Sequence, residues 1–390
     1  MNVCFETFGC RLNRAEALED EAKCLAIGHK VVTDHDEADF FVIRGCSVTS
    51  RAQRDCEKLI AHLREKYPTK RIHITGCLKE ARPFVVKQRD EAPPVPMSTA
   101  RAYLKAQNGC NGECTFCIVP RFRGKSAAED FTAVVDKAKR FIDAGYREIV
   151  LTGCNLSLYA SGGKRLPDLV TALAELDPAC RIRIGSLEPF LSAEETIDAM
   201  AAHQNVCRFL HMPVQSGSNR ILAAMKRPYT VENTEQLMQK AKQLMPSVAL
   251  GCDMIAGFPS ETDRDQLASE TLLNRLKIVN VHSFPFSRRP GTPAATMAGQ
   301  LPHEEVVDRA RKIAKIGETN RRAFARQFVD KTVEVVIENE KQAVGWTSEY
   351  LWFEEQRTGA DASEAKNERR EKIRFRVKEA HGGRLYGVRA

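Results

Sequence analysis

Residues 108 to 124 read NGCNGECTFCIVPRFRG, which sets Cys110, Cys114 and Cys117 in a C-x3-C-x2-C spacing. Thiolates are soft ligands that suit iron–sulfur clusters and zinc. Three of them packed together can hold three irons of a cubane and leave the fourth iron open to a substrate or cofactor. Zinc is the other reading, but its sites usually show two paired halves, and the chain has neither a second CxxC nor an HxxxH pair. A second set is dispersed: FGC at Cys10, RGC at Cys46 and TGC at Cys77 each follow a β-prone run. In a parallel sheet the carboxyl ends of the strands share one edge, so three Gly-Cys turns can converge there. Glycine tolerates positive φ and lets the backbone approach whatever the thiolate binds. The dipeptide alone is insufficient, because it recurs at Cys154 and Cys252. There, as at Cys4, Cys24, Cys56, Cys180 and Cys207, a small buried side chain is expected.

These thiols need elements to position them. Val3 to Phe8, Lys30 to Thr33, Phe40 to Ile43 and Arg71 to Thr75 read as strands. Glu16 to Ala26 and Arg51 to Lys66 carry helical spacing, with Leu59, Ile60 and Leu63 on one face. The alternation predicts a small doubly wound parallel sheet. A Pro-rich stretch, EAPPVPMST at 91 to 99, reads as a linker. Six further strands are expected at Tyr103 to Gln107, Glu148 to Thr152, Arg181 to Ser186, Arg208 to Met212, Ala249 to Ile255 and Val279 to Phe284. Amphipathic segments such as Thr132 to Ala144 and Glu232 to Leu244 separate them, which predicts a (β/α)6 parallel barrel or part of one, with chemistry at the carboxyl ends of its strands. A basic helix carrying Arg309, Arg311, Lys312, Lys315, Arg321, Arg322 and Arg326 follows. From Val329 onward short β-prone runs predict a small antiparallel β-barrel, acidic from Asp330 to Glu364 and basic from Lys366 to Arg389.

The chain has 390 residues, a formal charge of +8 and thirteen cysteines. That length allows two or three domains. The odd cysteine count and the lack of a signal peptide fit a secreted disulfide framework poorly. No apolar run approaches the roughly 18 residues of a membrane span, so a cytoplasmic protein is expected. The modest positive charge permits a polyanionic partner without requiring one.

The motif ending in C-T-F-C resembles the signature of radical S-adenosylmethionine (SAM) enzymes. That resemblance implies a 4Fe–4S cluster on Cys110, Cys114 and Cys117, chelation of its open iron by the methionyl amine and carboxylate of SAM, and Phe116 near the adenine. The cofactor then yields a 5′-deoxyadenosyl radical. The two three-cysteine sets in this order resemble those of the radical SAM methylthiotransferases. So do LTGCNLSLYASGG (151 to 163), RIGSLEP (183 to 189), HMPVQSGSNRILAAMKRPYT (211 to 230), GCDMIAGFPSETD (251 to 263) and HSFPFSRRPGTPAATM (282 to 297). The match covers essentially the whole chain, although the second cysteine follows Arg44-Gly45 where the family more often has Asn-Thr.

By that resemblance, residues 1–97 form a methylthiotransferase domain, 98–328 a radical SAM domain and 329–390 a TRAM-like RNA-binding domain. Cys10, Cys46 and Cys77 hold a second, auxiliary 4Fe–4S cluster, and Gly153, Asn155, Ser186, Glu188 and Gln215 are candidates for holding SAM. One SAM gives its methyl group to sulfur at the auxiliary cluster, and a second supplies the radical that removes the C2 hydrogen of an N6-modified adenosine. The implied partners are a tRNA anticodon stem-loop, a reducing electron donor and a sulfur source, with no membrane. ETFGCRLN (6 to 13) resembles the branch acting on threonylcarbamoyladenosine through Arg11 to Asn13. The branches acting on isopentenyladenosine or on a ribosomal protein are the alternatives, and a zinc-stabilised RNA-binding protein is the alternative of another class.

Several basic residues have two readings. Arg121, Arg123, Arg288 and Arg289 suit phosphate contacts or a solvated surface, and the run Lys366 to Lys378 around Phe375 suits RNA or a solvated strand. His211 reads equally as a structural strand-end histidine or a contact.

Overall fold

The structure is a computed structural model that describes residues 1–48, 50–78, 84, 94–96, 98–339, 343–356 and 370–390. Of the Pro-rich stretch, residues 91–93 and 97 lie outside the described residues, as does the expected boundary at 97.

The first unit comprises β1 (Asn2–Thr7), α1 (Arg11–Ala26), β2 (Lys30–Val32), β3 (Phe40–Gly45), α2 (Ser50–Lys66) and β4 (Arg71–Gly76). Its four strands are all parallel in the order β2-β1-β3-β4. Because successive strand side chains point to opposite faces, each strand serves two cores. Cys56, Ile60 and Leu63 of α2 bury against Cys4, Phe41 and Ile43, while Cys24 of α1 packs with Val3, Phe40 and Val42 on the other face. The sheet is therefore doubly wound. Its register pairs Thr7 with Arg44 and Gly45 with Gly76, which brings the ends of β1, β3 and β4 to one edge.

The central unit runs through β5 (Ala102–Lys105), β6 (Gln107–Asn108), α3 (Val119–Arg123), β7 (Ala127–Ala128), α4 (Phe131–Asp143), β8 (Glu148–Thr152), β9 (Ala160–Ser161), β10 (Lys164–Arg165) and α5 (Leu166–Leu176). It continues through β11 (Arg181–Ile184), α6 (Ala193–Ala202), β12 (Phe209–Gln215), α7 (Asn219–Ala224), α8 (Val231–Leu244), β13 (Ala249–Ala256), α9 (Asp263–Leu276), β14 (Asn280–Pro285) and α10 (His303–Arg326). The six expected parallel strands are present, but as two three-stranded sheets, β5-β8-β11 and β12-β13-β14. They meet at one isolated bridge, Ile182 to Val206. β12 also shifts register between Met212 and Gln215 around Pro213, a residue with no N–H to give to a ladder. α5 shows how the helices cover the sheet: Leu166, Leu169, Val170 and Leu173 recur at helical spacing and are fully buried.

The last unit is a closed barrel of β15 (Thr332–Ile337), β16 (Val344–Thr347), β17 (Trp352–Glu355), β18 (Lys372–His381) and β19 (Arg384–Arg389), in the order β15-β16-β17-β19-β18. One pair departs from the antiparallel expectation, since β17 and β19 run parallel. In β18, Arg374, Arg376 and Lys378 point outward and alternate with buried Phe375 and Val377. Phe375 packs in the barrel core, its ring 4.5 Å from that of Phe353 and tilted against it, so it is not a platform for a base. Residues 366–369 of the basic run, and 340–342 and 357–364 of the acidic one, lie outside the described residues. In α10, Arg309 is buried against Glu261, Asp263 and Glu305, so this member of the basic helix is spent on internal ion pairs. No helix of the described residues is long and apolar enough to cross a membrane.

The barrel docks on the amino ends of the central strands through buried charge. Glu148, fully buried, accepts from Arg181 at 2.6 Å and from Arg183 at 2.7 Å. These arginines donate onward to the carbonyls of Glu334, Trp346, Thr347 and Ser348 at 2.8–3.2 Å. Burial alone would raise the Glu148 carboxyl, but Arg183, Arg181 and Arg101 hold it well below the usual carboxylate range. Removing one partner of a buried pair leaves an uncompensated charge and costs about 3–5 kcal/mol. Glu148→Gln is therefore expected to destabilise the docked barrel by that order. Trp346 and Trp352, the two tryptophans of the chain, both lie in it. Their fluorescence transition in urea should shift to lower denaturant, and an unchanged midpoint would count against the junction.

Candidate active site

The loop after β6 carries the first three thiols. Thr115 pins it: its N–H donates to the Met225 carbonyl at 3.1 Å, its hydroxyl to the Ala224 carbonyl at 3.0 Å, and its own carbonyl accepts from Ala294 at 2.9 Å. The Cys110 N–H donates to the Gly124 carbonyl at 3.1 Å, so the loop closes on the end of α3. A Cβ on Gly112 would sit 3.3 Å from Cys110 Sγ and 3.7 Å from Cys114 Sγ, which places a cradle between the two sulfurs. Arg227 donates to Cys114 Sγ at 2.9 Å and is ion-paired with Glu188. Burial pushes the Cys117 thiol up to about 12, so a metal must displace protons to bind there.

The second set sits at the shared edge of β1, β3 and β4. The Phe8 N–H reaches the Arg44 carbonyl and the Cys77 N–H reaches the Gly45 carbonyl, both at 2.9 Å. Gly9, at φ 89°, lies so close to Cys46 that a Cβ would fall 2.6 Å from its Sγ. The turns carrying Cys10 and Cys46 are thus in contact. Asn13 staples them, its Nδ2 donating to the carbonyls of Phe8 at 2.7 Å and Gly45 at 3.1 Å. Cys46 and Cys77 are buried and Cys10 is exposed.

A single zinc ion would need either set of thiols drawn close together. With Zn–S bonds of about 2.3 Å, tetrahedral geometry sets sulfurs about 3.8 Å apart. Among the described residues, the groups of three whose ligand atoms all lie within 4.8 Å are Cys4–Glu6–His35 and His211–Asp253–His282. Neither cysteine triad is drawn that tight.

The six residues expected around SAM lie at or near the carboxyl ends of central strands or on the cysteine loop, but with different contacts. Gly153 is crowded by Gln107, whose Oε1 a Cβ would approach to 2.8 Å. The Asn155 N–H donates to that Gln107 oxygen at 2.9 Å, and the buried Asn155 Oδ1 has no partner. Glu188 is tied to the cluster loop through Arg227. Gln215 is buried at φ 68°, Ser186 is half-buried beyond β11, and Phe116 packs beside Ile221, Met225, Phe258 and Ala294. His211 is buried within β12, and with His282 it brackets Asp253, at 3.2 and 3.0 Å. Desolvation would raise that half-buried carboxyl, but the two imidazoles hold it well below the usual carboxylate range.

Three basic or thiol residues depart from their expected surroundings. Arg123 and Arg289 are neither phosphate contacts nor solvated. Arg123 donates to Cys77 Sγ at 3.1 Å, and Arg289 reaches the Val48 carbonyl and Gln53 Oε1, both at 3.2 Å. Cys154 is half-buried with its thiol 3.6 Å from Asn108 Oδ1, which itself accepts from Arg123, so it lies beside the site and not in the core. Arg121 and Arg288 remain exposed. Arg227, Asn108 and Gln107 were not singled out by sequence; the only local signal is their proximity to the cysteine and Gly-Cys motifs.

The Radical SAM superfamily matches residues 104–271, and the family described as uncharacterized protein family UPF0004 matches residues 2–94. The threonylcarbamoyladenosine tRNA methylthiotransferase MtaB of Bacillus subtilis (strain 168) is 30% identical, over 90% of this chain and 89% of that protein. The tRNA-2-methylthio-N(6)-dimethylallyladenosine synthase of Aquifex aeolicus (strain VF5) is also 30% identical, over 89% of this chain and 90% of that protein. Among solved structures, the radical S-adenosylmethionine methyltransferase TsrM from Kitasatospora setae shares the fold at a TM-score of 0.51, with 15% identity over 75% of each chain.

Glu188 makes the site's protonation measurable. Burial raises its carboxyl to about 7 against the pull of Arg227. A carboxyl raised on folding stabilises the fold below its unfolded value, and that stability is lost as pH rises through the folded value. Relative to Glu188→Gln, the cluster-free wild type should therefore lose stability from about pH 5 to about pH 7.5 in urea unfolding. A pH-independent difference between the two would contradict the assignment.

Proposed function

Because the chain belongs to the radical SAM methylthiotransferase family, we propose that it adds a methylthio group to C2 of N6-threonylcarbamoyladenosine beside the tRNA anticodon, using two SAM molecules and two 4Fe–4S clusters. The observation that supports this most directly is the hydrogen bond that ties the helix after Cys117 to Cys77. Arg123, on the helix that follows Cys117, grips Cys77. A sulfur donor and a hydrogen-abstracting group must reach one carbon, and such a bond keeps their sites adjacent.

Cys110, Cys114 and Cys117 would hold the SAM-binding cluster, and Cys10, Cys46 and Cys77 the auxiliary one. When bound, cluster and SAM supply a radical able to take hydrogen from an aromatic C–H, which no acid–base pair can do at neutral pH. The residues of this chain bind and orient. Asn155 offers a buried acceptor without a donor, suited to the cofactor's ammonium group, and Glu188 and Gln215 stand at neighbouring strand ends. The outward Arg374, Arg376 and Lys378 of β18 suit phosphates, with exposed Arg121 and Arg288 nearer the cysteine loop. The reaction also requires a low-potential electron donor and a source of sulfur.

The equal similarity to a dimethylallyladenosine synthase makes isopentenyladenosine the second substrate reading. Mass spectrometry of tRNA nucleosides from cells lacking the protein separates the two. Loss of 2-methylthio-threonylcarbamoyladenosine is expected, with return on complementation; loss of the isopentenyl derivative instead would replace the first reading by the second. Anaerobic wild type should hold about eight irons per chain, and a Cys10/Cys46/Cys77 triple alanine variant about half of that.

A further inference from the structure

We propose that Arg123 is a positioning residue that locks the two cysteine centres together and raises the reduction potential of the N-terminal one. The inference rests on the reading that Cys10, Cys46 and Cys77 hold an iron–sulfur cluster. The Arg123 side chain is 7% exposed. A guanidinium has five N–H donors, and here all are engaged. Nε donates to Cys77 Sγ at 3.1 Å, and Nη1 to Glu16 Oε1 and Asn108 Oδ1, both at 3.0 Å. Nη2 donates to Glu16 Oε2 at 3.2 Å and to Asn13 Oδ1. One residue thus touches a ligating sulfur, the Asn13 staple of the Cys10 and Cys46 turns, and the strand that leads into the Cys110 loop.

Its own backbone completes the link. Arg123 ends α3, which starts two residues after Cys117, and the next residue, Gly124, accepts from the Cys110 N–H at 3.1 Å. Movement of either centre must therefore break bonds to the other. Reduction adds negative charge to a cluster, so a cation that also hydrogen-bonds a ligating sulfur favours the reduced state. Glu16 opposes this effect, because its carboxylate partly neutralises Arg123 while also accepting from Arg44 at 2.7 Å. The two residues should therefore move the potential in opposite directions, which a purely structural role would not do.

The test uses full-length protein reconstituted anaerobically in a Cys110/Cys114/Cys117 triple alanine background, so that only the N-terminal centre contributes. Its midpoint potential is read by EPR-monitored dithionite titration. Arg123→Gln is expected to lower the midpoint and Glu16→Gln to raise it, with Arg123→Lys, which keeps the charge but not the planar fork, in between. Shifts of the same sign, or no shift in either variant, would overturn the proposal. If Arg123→Gln sheds its iron, Glu16→Gln decides alone: a raised midpoint supports the proposal, and an unchanged or lowered one refutes it. A background protein that takes up no iron at all contradicts the cluster reading itself, a result distinct from an unmoved potential.

Discussion

The Arg123 guanidinium, shared among Cys77, Glu16, Asn13 and Asn108, is the contact on which the arrangement of the two cysteine centres depends. A buried cation costs several kcal/mol unless it is matched, and the matching explains the neighbouring residues. Glu16 faces Arg123 on one side and Arg44 on the other, and Arg44 is paired in turn with Asp20. Glu16 and Asp20 therefore match the two arginines under the edge where Cys10, Cys46 and Cys77 meet, with Lys23 also on Asp20 at 3.3 Å. This gives Arg44 a reason to precede Gly45 and Cys46: it is the second cation of the network, contributed by β3.

That network also explains why α1 was only partly legible. Helical spacing suggests a start at Glu16, whereas the helix begins at Arg11. Asn13, Glu16 and Asp20 recur at helical spacing on a face turned toward Arg123 and Arg44, and Asn13 and Asp20 are buried. Periodicity arguments equate polar with exposed, so a buried polar face erases the signal they use. α2, which has no such network among its described contacts, shows its apolar face plainly in Cys56, Ile60 and Leu63.

The strands and the cysteines were legible because each depends on short-range rules: β-prone runs, Gly-Cys turns and fixed spacing. Long-range charge pairing has no such local signature. Arg123 lies 107 residues from Glu16, and Arg227 lies 113 from Cys114. Nothing in VPRFRG or MKRPYT distinguishes those buried arginines from exposed Arg121. Phe375 illustrates the converse, since an aromatic among basic residues reads as a stacking platform until the barrel closes around it. The seam between β11 and β12 was equally hidden, because β/α alternation counts strands without saying which neighbours pair.

The same use of cations joins all three parts at Tyr350. Its ring stacks on Phe209 at 4.7 Å and on Trp346 at 4.3 Å, and Arg183 lies over it at 4.9 Å. Arg321 binds its carbonyl and also Asn280 at the start of β14, so the C-terminal barrel covers the amino ends of the central strands. Arg11 arrives from the other direction: it donates to the Gly185 carbonyl, just past the end of β11, at 2.8 Å, and its guanidinium lies 5.2 Å from the Tyr350 ring. Of the residues in ETFGCRLN, Asn13 is thereby accounted for as a staple, while Arg11 places a cation beside the strand end that precedes Ser186.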